Sequence, residues 1–198
     1  MVEEGITDLV QNYVTELLSS KLPNDIGFHN IKHTEEVVRA AIEIAKACCL
    51  TPQQSEIVTL AAWFHDCGYI TTYINHEDSS KAIATDFLTQ YNYPEENIER
   101  ILTCIEATRF PQNPKSPEEK VLADADLYHF TKPDYPEYEQ QLRREFNIYL
   151  GKNYTDTEWD TTNYTLLQNH RYYTAYGKSV LQKFKEVNIE RIKINLAK

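Results

Sequence analysis

Glycine is scarce in this chain, and proline falls at the edges of its apolar-periodic stretches. There are 5 glycines and 8 prolines among 198 residues, and the prolines separate those stretches instead of interrupting them. Such punctuation is typical of helices, whereas a β-sandwich would normally need more glycine in its turns. Since 41% of the residues are hydrophobic, the chain can bury a core without disulfide bonds or zinc. The fold class predicted is all-α, a helical bundle in one domain over residues 1–198.

Three helix starts are marked by a Ser or Thr three residues before a Glu or Gln. They are Thr51–Gln54, Ser116–Glu119 and Thr155–Glu158, and the first two also have proline at the first helical position. Apolar residues recur at helical spacing after these and other starts. Helices are therefore predicted near residues 6–20, 30–49, 52–66, 77–91, 94–107, 117–129, 135–150, 157–168 and 174–196, with an irregular loop over 108–115.

The chain is acidic, with 30 Asp and Glu against 20 Lys and Arg and a formal charge of −10. This excess of acidic residues argues against duplex nucleic acid or an anionic membrane as partner, because both bind to basic protein surfaces. No run approaches the roughly 18 apolar residues of a membrane span, and Met1–Gly5 lacks the pattern of a signal peptide. The cysteines, Cys48, Cys49, Cys67 and Cys104, form neither a disulfide framework nor a zinc knuckle. We expect reduced thiols and a cytoplasmic protein.

The run from Ile57 to Gly68 carries the most chemical information. It is an apolar helix that ends in His65 and Asp66, with Gly68 placed to cap it in the left-handed conformation. A carboxylate next to so much apolar surface must be protonated, paired or bound to a metal, because an isolated buried charge is costly. By themselves, the two residues favour an Asp paired with a basic side chain and a His bonded to a backbone carbonyl.

Two further sets of polar residues lie on apolar helix faces. His33 precedes Val37 and Ala41 on one helical stripe, so its imidazole faces inward. Neutral imidazole is a preferred ligand of Zn, Mn, Fe, Co and Ni. Asp124 and Asp126 lie in an otherwise apolar helix. At positions i and i+2 they point about 200° apart, so only one of them can face a given site.

Together these residues match a family pattern. One His, a His-Asp pair that ends an apolar helix, and a distant Asp resemble the signature of the HD-domain superfamily of metal-dependent phosphohydrolases. The stretches that carry the resemblance cover about residues 25–130 and are Phe28-His29-Asn30-x-x-His33-Thr34-x-x-Val37, Asn75-His76-Glu77-x-x-Ser80, Ala107-Thr108-Arg109 and Asp124-Ala125-Asp126-Leu127. In a helical flank expected over about 135–198, Tyr135-Pro136-x-Tyr138 and Arg143-Arg144-Glu145-Phe146 resemble, more loosely, a bacterial branch of uncharacterised members.

The resemblance implies a helical bundle that holds at least one divalent metal (Mn, Fe, Co, Ni, Zn or Mg) near the middle of its core helices. An open site with mixed nitrogen and oxygen ligands is what metal catalysis requires, since a structural zinc site is closed and usually has thiolates. The implied activity is hydrolysis of a phosphate ester or anhydride of a small phosphorylated metabolite, such as a nucleotide, by a metal-activated water. The metal ligands expected are His33, His65, Asp66 and one of Asp124 and Asp126.

Other residues are assigned roles around that centre. Asp66 and Glu77 are the candidate catalytic residues. Glu77 equally fits an acid in the first turn of a helix that only interacts favourably with the helix dipole. His29 fits a residue that extends the site or bonds a carboxylate behind a ligand, and it equally fits a plain core histidine. His76 is a candidate fifth ligand that would allow a second metal, for which His29 is the other candidate. The candidate phosphate-binding cations, each of which also fits a plain surface charge, are Arg109, Lys132 and Arg144, while His129 and His170 are assigned to structure alone.

Two other functions fit the same signature. A di-iron oxygenase would use His76 and His29 for a second iron, and a non-catalytic module would use the pocket to sense a nucleotide. The same ligands serve many substrates, because the metal binds the phosphate group that these substrates share and the pocket walls recognise the remainder of each molecule. The sequence therefore leaves the substrate, the metal and the oligomeric state open.

Overall fold

The computed structural model describes residues 5–197, and every regular element within that range is helical. The prediction of an all-α fold is confirmed. Residues 1–4, on which the signal-peptide argument partly rests, and residue 198 lie outside the described part. The α-helices described are α1 (Ile6–Lys21), α2 (Ile31–Ala47), α3 (Pro52–Phe64), α4 (His76–Gln90), α5 (Glu95–Glu106), α6 (Pro117–Asp126), α7 (Tyr135–Leu150), α8 (Asp156–Asn169) and α9 (Gln182–Leu196).

The helix starts predicted from the sequence are confirmed by their hydrogen bonds. At the start of α3, Thr51 Oγ1 accepts the N–H of Gln54 at 3.3 Å, while the Gln54 side chain accepts the N–H of Thr51 at 3.0 Å. The same reciprocal pair opens α8. At the start of α6, Ser116 Oγ accepts the N–H of Glu119 at 3.2 Å. These bonds satisfy donors that the first turn of a helix leaves without a partner.

The end of α3 differs from the prediction. The helix ends at Phe64, and Gly68 lies in a short 3₁₀ helix, Cys67–Ile70, without the left-handed conformation expected of a cap. Glycine is required there for another reason, because a Cβ at Gly68 would lie 1.9 Å from the carbonyl oxygen of His76. The missing side chain lets α4 begin directly against the 3₁₀ helix. This close approach brings His76 beside Asp66.

Two other helix ends are irregular. α6 stops at Asp126 and continues as a second 3₁₀ helix, Leu127–Thr131, so the predicted helix over 117–129 is two elements. α9 follows a π-helical turn, Gly177–Leu181, so the helix predicted over 174–196 begins later than expected. At Gly177 a Cβ would lie 2.3 Å from Asp124 Oδ2, which shows how closely this turn approaches α6.

The central helix of the core is α3. Every residue from Ile57 to Phe64 is buried, and α3 packs against α1, α2, α5 and α6. A helix that is apolar on all sides is stable only when it is enclosed on all sides. Burial of each large apolar side chain contributes roughly 1.5–3 kcal/mol to that enclosure. The next two residues of the chain, His65 and Asp66, are polar and are carried into the interior with it.

The C-terminal helices add a second, smaller apolar cluster. α8 and α9 pack against each other, and α9 also packs on the 3₁₀ helix Leu127–Thr131. α7 bonds to the N-terminal half through polar side chains, for example Tyr138, whose hydroxyl donates to Glu36 at 2.8 Å. None of the helices within residues 5–197 combines the length and apolar character needed to cross a membrane. The buried members of the smaller cluster are Phe130, Tyr135, Leu167, Ile189 and Ile192.

Lys185 on α9 provides a test of this C-terminal packing. Its side chain is fully buried, and Nζ donates to the carbonyl oxygen of His170 at 2.7 Å. Burial lowers the pKa of Lys185 from 10.5 to about 8. Between those two values the unfolded chain binds more protons than the folded chain, so the destabilisation caused by burying this group decreases as the pH rises. We therefore compare wild type with Lys185→Met. The free energy of unfolding of wild type minus that of the variant is expected to increase by on the order of 1–3 kcal/mol as the pH rises from 8 to 10.5.

Urea denaturation of both proteins across this pH range measures the difference. Other groups that titrate in the same range contribute equally to the two proteins and cancel. Parallel stability curves would contradict the prediction, because they would mean that Lys185 binds its proton as readily in the folded chain as in the unfolded one.

Candidate metal centre

The ends of three helices bring four potential ligands to one point in the core. α2 supplies His33 from its first turn, where the Asn30 side chain accepts the N–H of His33 at 3.3 Å. α3 ends immediately before His65 and Asp66, and α6 ends at Asp126. These ends meet because α2, α3 and α6 pack against one another.

The ligand atoms of the four side chains lie close together. Asp66 Oδ2 is 3.4 Å from His33 Nε2 and 3.1 Å from His65 Nε2. Asp126 Oδ1 is 3.4 Å and 3.7 Å from the same two nitrogens. His33, His65 and Asp66 are almost completely enclosed, whereas the Asp126 side chain is 18% exposed. His33, His65 and Asp66 thus offer ligand atoms that all lie within 4.8 Å of one another, and Asp126 approaches the two nitrogens from a more exposed side.

Three of these ligand atoms have no hydrogen-bond partner among the residues described, namely His33 Nε2, His65 Nε2 and Asp66 Oδ2. The other ring nitrogen of His65, Nδ1, lies 2.7 Å from the carbonyl oxygen of Ala62, and this bond requires Nδ1 to be the donor. In the neutral ring the lone pair is therefore on Nε2. Buried lone pairs that converge without a donor fit a bound cation. The residues present therefore fit the divalent metal that the sequence predicts.

The protonation of this cluster reflects its two carboxylates. Burial opposes the charge of Asp66, but His65 outweighs it and holds the pKa of Asp66 well below its ordinary value. Burial likewise opposes a charge on His65, but Asp66 and then Asp126 outweigh it and raise the pKa of His65 to about 9. A proton on His65 thus balances the carboxylates, and a metal held by His65 would have to displace that proton.

The two aspartates of α6 have different surroundings. Asp126 faces the histidines, and its Oδ2 accepts a hydrogen bond from Gln112 Nε2 at 3.3 Å. Asp124 is fully buried elsewhere and accepts three hydrogen bonds, from the N–H groups of Tyr173 and Thr174 and from the Thr174 hydroxyl, at 2.8, 2.9 and 2.6 Å. Those bonds occupy both carboxylate oxygens and fix the segment that precedes α9. Asp124 therefore does not fit the fourth ligand position, and Asp126 does.

The start of α4 adds two groups beside the cluster. His76 Nε2 is 3.4 Å from Asp66 Oδ1 and 3.8 Å from Glu77 Oε1. Glu77 is buried, and its other oxygen, Oε2, is 3.0 Å from Arg109 Nη1. This chain of contacts puts Glu77 at the margin of the candidate metal centre.

The guanidinium of Arg109 is engaged by several acceptors. Besides Glu77, it bonds to Glu106 at 2.6 Å, to Asp78 at 2.9 Å and to Asn75 at 3.2 Å. Because these groups already occupy its donors, a phosphate would have to displace at least one of them. The geometry favours Arg109 as the residue that holds Glu77, which differs from the phosphate-binding role suggested by the sequence.

The other two cations proposed for phosphate binding lie apart from the cluster. Lys132 Nζ lies 5.6 Å from the centre of the Tyr128 ring. Arg144 borders a cleft of about 430 Å³ together with Arg143 and Lys152. Within residues 5–197, neither Lys132 nor Arg144 forms a hydrogen bond or ion pair with a candidate metal ligand. The structure therefore does not bring these two cations to the centre.

The two histidines assigned to structure are both held neutral. Burial is the largest cause that lowers the pKa of His129 and His170, each to about 3. The His129 ring centre is 6.1 Å from that of His33, and its Nδ1 is 3.1 Å from the carbonyl oxygen of Asp126. His129 therefore packs against the ligands, whereas His170 contacts Lys185 on α9.

Gln112 and Glu145 contact this site although neither has a role predicted from the sequence: Gln112 belongs to no motif, and Glu145 lies in the loosely matching stretch Arg143-Arg144-Glu145-Phe146. Gln112 lies in the loop between α5 and α6, where its carboxamide bonds both to Asp126 and to the carbonyl oxygen of Ala123. Glu145 lies on α7, and its Oε2 is 2.6 Å from Nδ1 of His29. The 116 residues between Glu145 and His29 explain why no spacing rule connects them.

Comparisons with known proteins identify the family of this chain. The sequence model of the HD domain family matches residues 30–131, which is more than half of the chain. A solved structure described as a predicted HD superfamily hydrolase, from an uncultured Thermotogales bacterium, has a TM-score of 0.66 and 18% identity, over 96% of this chain and 90% of that chain. At this identity the likeness concerns the fold. No curated protein matches the chain. Because the family match spans α2, α3 and α6 and the four side chains that they bring together, this chain belongs to the HD domain family.

Proposed function

We propose that this protein is a metal-dependent phosphohydrolase that cleaves a phosphate ester or anhydride of a small phosphorylated metabolite, such as a nucleotide. The observation that carries the proposal is the convergence of buried ligand atoms without hydrogen-bond partners on His33, His65 and Asp66. Asp126 completes a set of two imidazoles and two carboxylates. The metal proposed is divalent, one of Mn, Fe, Co, Ni, Zn or Mg. A metal that takes five or six ligands keeps positions there for water and a phosphate oxygen.

A divalent metal held by these residues would lower the pKa of a bound water toward about 7 and would neutralise charge on the phosphoryl oxygens. We assign Glu77 as the group that orients the attacking water and accepts its proton. Its Oε2 is held by Arg109 at 3.0 Å, while Oε1 lies 3.8 Å from His76 on the side of the cluster. Asp66 presents Oδ2 to the two histidine ligands and Oδ1 to His76, so its carboxylate spans the centre.

Charge and burial support a small substrate. A formal charge of −10 repels long polyanions such as duplex nucleic acid, and anionic membranes as well. The ligands lie deep between helices, where a phosphate group on a compact molecule is easier to admit than a polymer. All four cysteines are free thiols, which a reducing cytoplasm maintains, and we propose that the protein acts there.

The metal and the activity are tested together. The protein is purified without chelator or affinity nickel beside an Asp66→Ala control, and its metal content is measured by elemental analysis. It is then assayed with nucleotides and small phosphate esters in the presence of each divalent metal. We expect bound metal that is absent from the control, and release of phosphate. A second iron per chain would support a di-iron oxygenase instead, and nucleotide-induced stabilisation without turnover would support a sensing module.

The two aspartates of α6 form a matched pair for testing the ligand set. We expect Asp126→Asn to lose most of its metal, because one of the two ligand charges is removed. Asp124→Asn is expected to keep its metal and to lose about 1–3 kcal/mol of stability, since its new N–H₂ group would face the donors of Thr174. Elemental analysis and urea denaturation of both variants measure the two effects. Equal metal loss in the two variants would mean that the fourth ligand lies elsewhere.

Glu77 and Glu106 form a second matched pair, because both bond to Arg109. Glu77→Gln is expected to lower kcat about 10²–10⁴-fold with its metal content unchanged, since the group that accepts the water proton is lost. Glu106 is 45% exposed at its side chain, and Glu106→Gln is expected to change kcat by less than about threefold. Steady-state rates at saturating substrate decide between them. Similar losses in both variants would assign Glu77 only to the ion-pair network.

A further inference from the structure

His29 and Glu145 form a buried pair outside the four candidate metal ligands. His29 Nδ1 is 2.6 Å from Glu145 Oε2, and the Glu145 side chain is completely enclosed. Both residues lie outside the range 30–131 that the HD domain family matches, and Glu145 belongs to α7. An ionised carboxylate is costly to bury, so Glu145 is expected to serve either the stability of the fold or the function of the site.

Glu145 is fixed by donors from three directions. Oε1 accepts the N–H groups of Phe28 at 2.6 Å and His29 at 3.2 Å, and Oε2 also accepts the hydroxyl of Tyr73 at 3.1 Å. Burial opposes its charge, but the bond from His29 outweighs burial and lowers the pKa of Glu145 below its ordinary value. The carboxylate is therefore ionised and held in one orientation.

The ring edge of His29 opposite Glu145, which carries Nε2, lies beside the candidate metal centre. Its Nδ1 is used by Glu145, and its Nε2 has no hydrogen-bond partner among residues 5–197. The ring stacks on Tyr69 at 4.2 Å between centres, and it lies 6.0 Å from the ring of His33 and 6.3 Å from that of His76. Its side chain is 13% exposed, compared with 3% for His33. His29 thus stands at an edge of the centre that solvent reaches.

We propose that Glu145 is a positioning residue that holds His29 as the proton donor to the leaving oxygen of the substrate, an inference that rests on the proposed function. As the water oxygen bonds to phosphorus, the bond between phosphorus and the ester oxygen breaks and its electron pair stays on that oxygen. The ester oxygen takes the Nε2 proton of His29, and the water proton goes to Glu77. Solvent afterwards restores both groups.

The electrostatics of the pair agree with this role. An ionised and fully enclosed Glu145 carboxylate lies 2.6 Å from His29 Nδ1, and a negative charge at that distance stabilises the imidazolium form of the ring. His29 therefore carries a proton that it can give. Because Nδ1–H is bound to Glu145, the proton that can be transferred is the one on Nε2.

The leaving group provides the test, because a proton donor matters most for an ester whose leaving oxygen is a strong base. Wild type and Glu145→Gln, both loaded with the metal found in the native protein, are compared on aryl phosphates from p-nitrophenyl phosphate to p-methoxyphenyl phosphate. These esters have nearly the same shape. We expect Glu145→Gln to lose about 100-fold in kcat on p-methoxyphenyl phosphate and less than about threefold on p-nitrophenyl phosphate.

Two further variants complete the experiment. Glu139→Gln makes the same chemical change at another buried carboxylate of α7, and we expect it to match wild type on every ester. His29→Gln keeps the two backbone N–H groups that Glu145 accepts, so it replaces Glu145→Gln if that variant does not fold. The double variant is expected to be no slower than either single variant, because the two side chains act as one unit.

The hydrogen bond itself can be observed independently of activity. In zinc-loaded wild type, which is diamagnetic, we expect a low-field ¹H NMR resonance from the His29 Nδ1–H that is absent from Glu145→Gln. Equal losses on all the esters, or no loss on any, would overturn the proposal and leave Glu145 as a residue that only anchors α7. If wild type hydrolyses neither these esters nor nucleotides with any of the divalent metals, the proposed function itself fails.

Discussion

The buried ligand atoms at the ends of α2, α3 and α6 are the constraint on which the rest of this structure depends. α3 is apolar all round and has to be enclosed by other helices, so the residues directly after it are desolvated as well. Those residues carry an imidazole and a carboxylate, and the lone pairs of both would be costly in that position if nothing bound them. A proton on His65 meets part of this requirement, and a divalent metal meets it more fully. A divalent metal bound by these residues would therefore stabilise the folded chain.

Groups from separate parts of the chain hold the residues of the centre in place. Gln112, from the loop between α5 and α6, bonds to Asp126, and Arg109, from the end of α5, bonds to Glu77. Glu145, from α7, bonds to His29. Each of these contacts fixes a side chain that would otherwise rotate. Through Glu145, α7 is thus joined to the candidate metal centre.

Local rules predicted most of the helices because they depend on neighbouring residues. A Thr three residues before Gln or Glu forms the same reciprocal bonds wherever it opens a helix, and both such starts are found in the structure. The same rules fail where distant chain segments meet. Gly68 resembles a helix cap by position, but the carbonyl of His76 is what excludes a side chain there. Arg109 is a candidate phosphate ligand because it follows a motif helix, and local rules do not reveal the carboxylates of α4 that contact it.

The sequence by itself determined the helical class, the helix starts, and a set of His and Asp residues suited to a divalent metal, because residue type and helical period carry that information. It also determined that Asp124 and Asp126 cannot face the same point. Only the tertiary structure decided which of the two meets the histidines, since the rotation of α6 is set by its packing against α2 and α3. The pairing of His29 with Glu145 was likewise decided by tertiary structure. Its partners are 116 residues apart, and only the docking of α7 brings them within hydrogen-bond distance.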